Sequence, residues 1–563
     1  MRIFLGIGCA LLFATQAMAA STLPPKVLYT DIGSGPNSGG ENNNGAYLSI
    51  FGRNFGSGGL GTTTKVTIGG KEVAVYRSLG TSKARSDIQQ ISVQIGALSG
   101  ITLGVAQPVR VSVNGAASNS DVTFIVNPGR ILYVDNVNGH DNTAVPNDIA
   151  HPYRHVQTSD TSQAAYGAAQ PGDIIVMRGT GTAWTDSGND TYFVKFINND
   201  GTAPTGATGT GPLTLMGYPG EDVFINFPGT THKGALSGID TTQGFVGGHY
   251  VTIADLRIEA GGNAGPIAVQ IAGDHWRLVN NELSASTATN TAKAAAINGN
   301  ATNAFWFGNH IHDIAGGSAQ ENHGIYIDGD GSYDIAYNTI EHVTGGNGFQ
   351  IFVNGGNGSD FGNHIHFHHN VVHDVSKHGL NIADGSQNDI VLTDNIVYNT
   401  AYSGIRFNTN TLHGARIDNN TIYNADTAGT FAGYAAISND WNFPSDALDL
   451  RNNIIVPAAG KPYTGGSVGI DVGIGVISNN LWSGGTGDVS FDTNPVLKPP
   501  GFVDAAQADF HLLSNSKAIN AGSAGVAAWV VDDYDNTARP VGAAYDIGAY
   551  EFTTDIIFAN NFE

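Results

Sequence analysis

The sequence predicts an all-β protein in which a β-sandwich precedes a long parallel β-solenoid. Three observations predict it. The 563 residues include 76 glycines, and only 13% are charged, a turn-rich composition at odds with a helical protein. Strand-like runs separated by Gly and Asn turns fill the N-terminal part. From residue 281 onward a unit recurs: Asn, any residue, an aliphatic, any residue.

The elements follow in chain order. The opening MRIFLGIGCALLFATQAMAA has one cation, Arg2, before an apolar run that ends in small residues. That is the pattern of a secretory signal peptide over residues 1–20, and it places the mature chain outside the cytoplasm. Cleavage would remove the only cysteine, Cys9, and take the net charge from −23 to −24. No later stretch has the roughly 18 uninterrupted apolar residues of a membrane helix. The acidic balance disfavours nucleic acid, which wants a basic face.

Residues 21–127 carry the runs AYLSIFG, TKVTIGG, QISVQIG, VRVSVNG and VTFIVNP. Alternation bounded by turn residues reads as a β-sandwich. The order YLSIFGRNFGSGG, KVTIGGKEV and VRVSVNGAASNSDVTFIVNPG resembles the IPT/TIG branch of immunoglobulin-like domains. The resemblance implies a spacer or binding module.

Residues 128–552 form the second unit. ILYVDNVNGHD, a helix expected at about 159–170, and QPGDIIVMRG resemble the opening of secreted right-handed parallel β-helix proteins. The repeated Asn residues are 281, 309, 338, 370, 395, 420, 453 and 479, spaced by 28, 29, 32, 25, 25, 33 and 26. One such coil buries little alone, and stacking builds a continuous core. The recurring Asn suits an internal amide ladder, with Asp255 in a degenerate earlier copy. The C-terminal part of this unit, through GAYEF, resembles an element of secreted β-helix proteins and is expected to cap the solenoid. In it Asp532, Asp533 and Asp535 are expected to be structural. Residues 553–563 are a short aromatic-acidic tail.

Aligning the coils on the Asn assigns faces. Trp306, Ile335, Phe367, Leu392 and Ile417 precede it by three positions and point inward, so His366 and His368 point outward. In the next strand of each coil the outward column is Tyr326, Gln350, Asn381 and Arg406, and the column after it includes Asn408. The preceding turn stacks His323, Lys377, His378 and Tyr402 nearby.

This patch gathers cations, imidazoles and phenols on a cation-poor chain. Removing the proton α to a uronate carboxylate needs a base, a cation for the carboxylate and an acid for the leaving oxygen. Lys377 or His378 is the candidate base, Arg406 the clamp, and Tyr402 or Tyr326 the acid. His323, Tyr326, Gln350, Asn381, Asn408, His366 and His368 are candidate substrate-binding residues. The arrangement resembles β-helix polysaccharide lyases, and the implied function is β-elimination of a uronate-containing glycan. A glycoside hydrolase, a C5-epimerase and a non-catalytic glycan-binding or adhesin-like protein stay open. For hydrolysis the candidate carboxylate pairs are Asp328 with Asp330 and Asp334 with Asp418. The expected partner is an acidic or neutral polysaccharide, and the expected state a monomer.

Stacked acidic turns offer Asp328, Asp330, Asp334, Asp360 and Asp384 as calcium ligands, since a hard cation takes six to eight oxygens. Ordinary Asx turns are the competing reading. The stretch NHIHFHHNVVHDVSKHG, residues 363–379, holds six histidines. Zinc on His364, His366 and His368 is disfavoured, because they span about 13 Å along one strand. The nearby Arg416 also opposes a cation.

Overall fold

The computed structural model describes residues 23–554, apart from 159–163, 186–192, 197–207, 210, 228–234, 239–247, 262–266, 287–294, 316–321, 328, 330, 353–363, 384–385, 410, 430–432, 443–446 and 471–474. The chain is nearly all β, as the glycine-rich composition predicts. Of the helix expected at about 159–170, the described part is a single turn, Ala165–Ala168.

The N-terminal sandwich has two sheets. Lys26–Thr30, Tyr47–Arg53, Gln89–Gln94 and Val75–Thr81 make one. Ser34–Pro36, Thr123–Asn127, Ala106–Val113 and Thr64–Ile68 form the body of the other. Alternate residues such as Leu48, Ile50, Val66, Val109 and Val111 fill the space between them.

The rest is a parallel solenoid of three sheets. The first runs from Ile131–Val134 to Gly475–Ser478, the second from Val194–Lys195 to Thr464–Gly465, and the third from Phe224–Phe227 to Leu481–Trp482. Each strand pairs in parallel with its counterpart one coil on. The interior is built of stacked columns. Trp306, Ile335, Phe367, Leu392 and Ile417 line the first sheet, and Ile325, Phe349, Leu380 and Ile405 the second. All are fully buried.

An amide ladder runs down the corner between the first and third sheets. The backbone N–H and Nδ2 of Asn309 both donate to Asn338 Oδ1, and the pattern continues through Asn370, Asn395, Asn420 and Asn453 to Asn480. Asp492 closes it by accepting from Asn480. The last rung is therefore Asn480, one residue after the Asn479 expected from the repeat. Asp255 is shifted likewise, since it lies level with Asn280 and not with the ladder residue Asn281.

A column of left-handed residues just before the ladder explains the slip. Asp255, Asn280, Tyr337, His369, Asp394, Asn419, Asn452 and Asn479 all have φ between 53° and 60°. Asn and Asp adopt this conformation most readily, so two adjacent columns compete for the same residue type.

The sandwich lies on the outer face of the first sheet. Ile131, Tyr133, Ile174, Val176, Met216 and Ala254 join its core, and Tyr29, Phe51 and Ile88 pack on Val279, Phe307, Ala336 and Tyr337. The C-terminal segment lies along the flank of the coils, where the sequence suggests an end cap. Phe510, Tyr534 and Tyr550 pack with Ile396, Tyr398 and Tyr423. Asp532 pairs with Lys26, Asp535 pairs with Arg53, and Arg85 donates to Tyr534 O and His369 O. Sandwich, solenoid and C-terminal segment thus share one polar junction.

Candidate functional site

With part of the first sheet roofed by the sandwich, the second sheet presents the candidate patch. Its outward column is Tyr326, Gln350, Asn381, Arg406 and Ser438, in register over five coils. Adjacent coils lie about 4.8 Å apart. Gln350 Oε1 accepts from Asn381 Nδ2 at 3.0 Å and from Asn347 Nδ2. Asn381 Oδ1 is left buried, with no hydrogen-bond partner among the described residues.

The turn before this strand sorts the candidates into two levels. His323 and His378 are buried, with 2% and 3% of their surface exposed. This corrects the expectation of two imidazoles on an open patch. His323 Nδ1 accepts from Asn347 N–H, His378 Nδ1 accepts from Ser403 N–H, and Asn347 Oδ1 accepts from His378 N–H. They are rungs of a second internal ladder, because each spans one coil spacing in a turn that must satisfy its buried N–H groups. Burial, with Arg406 and Lys377 nearby, pushes the His378 pKa well below that of a free imidazole.

Lys377 is one residue earlier and half-buried. Its ammonium has no hydrogen bond or ion pair among the described residues, and burial lowers its pKa. Tyr402 stacks one coil on, its N–H donating to Lys377 O at 3.0 Å. Tyr434 lies beyond it, with ring centroids 5.1 Å apart, and covers the His378 ring at 4.8 Å.

Arg406 is less available than expected. Its Nε and Nη2 both donate to Asp440 Oδ2, at 2.9 and 2.6 Å. Its guanidinium lies 5.6 Å from the Tyr434 ring centroid, and Nη1 has no partner among the described residues. Asn408 accepts from Trp441 Nε1 at 3.2 Å, and that indole is 43% exposed. Tyr434, Asp440 and Trp441 were not legible as site residues. They belong to the coil after Arg406, whose irregular spacing of 33 residues hides its strand.

The acidic turns divide differently. Asp328, Asp330, Asp360 and Asp384 lie outside the described residues. Asp334 is described, and it sits mid-strand on the first sheet and not in a turn. The Asp334–Asp418 pair does not form a two-carboxylate site. Asp334 lies level with His366 and Asp418 level with Thr393, three coils on from the Asp334 strand, which is roughly 14 Å along the axis. Asp418 is buried, accepts from Trp529 Nε1 and Arg451 N–H, and is pushed by burial up to about 7. Inverting and retaining pairs are at most about 9.5 Å apart.

The six histidines of 363–379 occupy separate settings. His364 is exposed beside Asp389. His366 and His368 face Asp334 on the first sheet. His369 is buried at the junction, with Nε2 2.7 Å from Asp533 O. His373 is on the third sheet between Glu341 and Asp374, and His378 is in the buried turn.

No protein-family model matches the chain, and no curated protein matches it. Several solved structures resemble it at low similarity. A pectate lyase, Pel9A, aligns with 13% identity over 75% of this chain and 96% of its own, with a TM-score of 0.43. The GH136 lacto-N-biosidase from Eubacterium ramulus aligns with 11% identity over 66% of this chain and 67% of its own, TM-score 0.23. The catalytic unit of a GH87 alpha-1,3-glucanase from Streptomyces thermodiastaticus strain HF3-3 has 12% identity, 85% and 96% coverage, and a TM-score of 0.23.

Proposed function

We propose that the protein is a secreted polysaccharide-degrading enzyme that cleaves a uronate-containing glycan by β-elimination on the outer face of the second sheet. The observation that carries this reading is Lys377, a partly desolvated ammonium that is unpaired among the described residues and whose pKa is lowered. Tyr402 follows it one coil on, and Lys377 and Arg406 both lie near His378. A lysine that sheds its proton easily is suited to act as a base.

In this reading the neutral Lys377 amine takes the proton from the carbon α to the uronate carboxylate. The electron pair forms the C4–C5 double bond as the C4–O bond breaks. The departing oxygen takes a proton from the Tyr402 hydroxyl. Arg406 Nη1 binds the carboxylate, while Asp440 holds the guanidinium in place. Trp441 offers an apolar face to a further ring. Calcium held by Asp328, Asp330, Asp360 and Asp384 would draw an acidic polymer to an acidic protein.

The test is incubation of the protein with a panel of uronate polymers, with and without chelator, following ultraviolet absorbance of the unsaturated product. Activity is expected to fall about 10²–10⁴-fold in Lys377→Ala, the usual worth of a general base. New reducing ends without absorbance would replace the lyase with a hydrolase. An epimerised but uncleaved polymer would replace it with an epimerase. Activity unaffected by chelator would remove the calcium.

A further inference from the structure

We propose that Asp334, His366 and His368 form a binding site for a first-row divalent transition metal, with zinc as the fitting ion, where the first sheet emerges from under the sandwich. Among the described residues this is the one group of three His, Cys, Asp or Glu side chains whose donor atoms all lie within 4.8 Å of one another. The zinc reading rejected from sequence considered three histidines along one strand. The structure replaces the third with a carboxylate from the adjacent coil, because Asp334 lies level with His366.

The distances fit one ion. Asp334 Oδ1 is 3.0 Å from His368 Nε2 and 4.0 Å from His366 Nδ1. With metal–ligand bonds near 2.0–2.2 Å, a tetrahedron has edges of ~3.4 Å, so the two separations bracket the required value. Two imidazoles and a carboxylate suit zinc and its first-row neighbours better than calcium, which wants oxygens only.

A second, independent observation is the hydrogen-bond direction in the chain behind His368. His369 Nε2 faces a carbonyl, Asp533 O, at 2.7 Å, so it must be the N–H donor. His369 Nδ1 stands 2.8 Å from His368 Nδ1, so that side of the His368 ring is engaged inward. His368 Nε2 is thereby turned toward Asp334 Oδ1, at 3.0 Å. The outer links also match the usual support of a metal-bound imidazole, whose second nitrogen donates inward and fixes the ring.

Arg416 does not oppose the site. Its Nη1 pairs with Asp389 at 3.1 Å, and its guanidinium lies over the Trp529 ring at 4.8 Å. The entrance is open, since the Asp334 and His366 side chains are 46% and 40% exposed, against 13% for His368.

The test uses the full chain purified without a histidine tag, stripped of metal and titrated with Zn²⁺ by calorimetry. Elemental analysis after dialysis reads the stoichiometry. One zinc per chain is expected, with a rise in thermal midpoint on adding zinc. His366→Gln and Asp334→Asn should each weaken binding at least tenfold and abolish the thermal shift, while His364→Gln leaves both unchanged. His366→Gln alters a half-exposed side chain, so it remains informative where Asp334→Asn does not fold. Co²⁺ should give visible d–d bands in the wild type and lose them in His366→Gln. No zinc uptake by the stripped wild type, or wild-type uptake by His366→Gln, would overturn the site.

Discussion

Replacing Asn395 by alanine removes one rung of the amide ladder in the middle of the solenoid. Its Oδ1 accepts from Asn370 N–H at 3.0 Å and from Asn370 Nδ2 at 3.1 Å. Its Nδ2 donates to Phe367 O at 2.7 Å and to Asn420 Oδ1 at 3.0 Å. The side chain is fully buried. Three of the four partners keep some compensation: Asn370 Nδ2 still reaches Ile335 O and His368 O, Asn420 Oδ1 still accepts from Asn395 N–H, and Phe367 O is a carbonyl with a second lone pair. The Asn370 N–H is left with nothing. An orphaned buried donor costs ~1–3 kcal/mol, and each ordinary hydrogen bond lost costs ~0.5–1.5 kcal/mol. The expected loss is about 3–5 kcal/mol. It should concentrate on neighbouring coils, because each coil of a solenoid rests only on the next. Urea unfolding followed by circular dichroism gives the total, and amide exchange of residues 370–425 gives its location. A loss below ~1 kcal/mol, or protection lost evenly over the whole chain, would refute the ladder as a source of stability.

Three further outcomes are expected. Arg539 is fully buried between Asp394 and Glu551, at 2.9 and 2.7 Å, so Arg539→Met leaves two buried carboxylates unpaired. It should cost ~3–5 kcal/mol and open the C-terminal segment to limited proteolysis. Burial opposes charge on His511, but Asp535 and Asp509 prevail and raise its pKa to about 9 from an ordinary 6.5. A raised histidine stabilises fully below its unfolded pKa and loses that contribution as pH rises through the folded one. Urea midpoints should therefore fall between pH 6.5 and 9, by up to ~3 kcal/mol from this residue, and His511→Asn should flatten that slope. Trp441→Ala removes an exposed ring and its bond to Asn408. It should raise KM for a long glycan several-fold and leave kcat for a short one unchanged, as measured by steady-state kinetics.

The solenoid was legible because its signals are local and repeated. An inward residue three positions before each Asn, an Asn at one corner and a glycine-rich turn recur from residue 281 onward, and stacking turns that repeat into columns without further information. The columns Tyr326–Gln350–Asn381–Arg406 and Trp306–Ile335–Phe367–Leu392–Ile417 follow from counting alone. Counting failed where two columns use the same chemistry. Asn479 and Asn480 differ only in that one takes a left-handed φ and the other a buried amide position, and a repeat pattern does not distinguish them.

Tertiary structure decided the rest, because it depends on which faces are covered and on what reaches across coils. That His323 and His378 lie inside a turn while Lys377 lies outside it is set by one residue of phase in a non-regular segment. That Asp440 engages Arg406 depends on a coil 33 residues long. The meeting of Asp334 with His366 and His368 joins residues 32 and 34 positions apart, and the histidine chain behind it ends on Asp533, far along the sequence. The amino-acid pattern determined the axis, the columns and the inward faces. Only the docking of the sandwich and the C-terminal segment onto the first sheet decided which outward residues stay open, which are roofed and which meet.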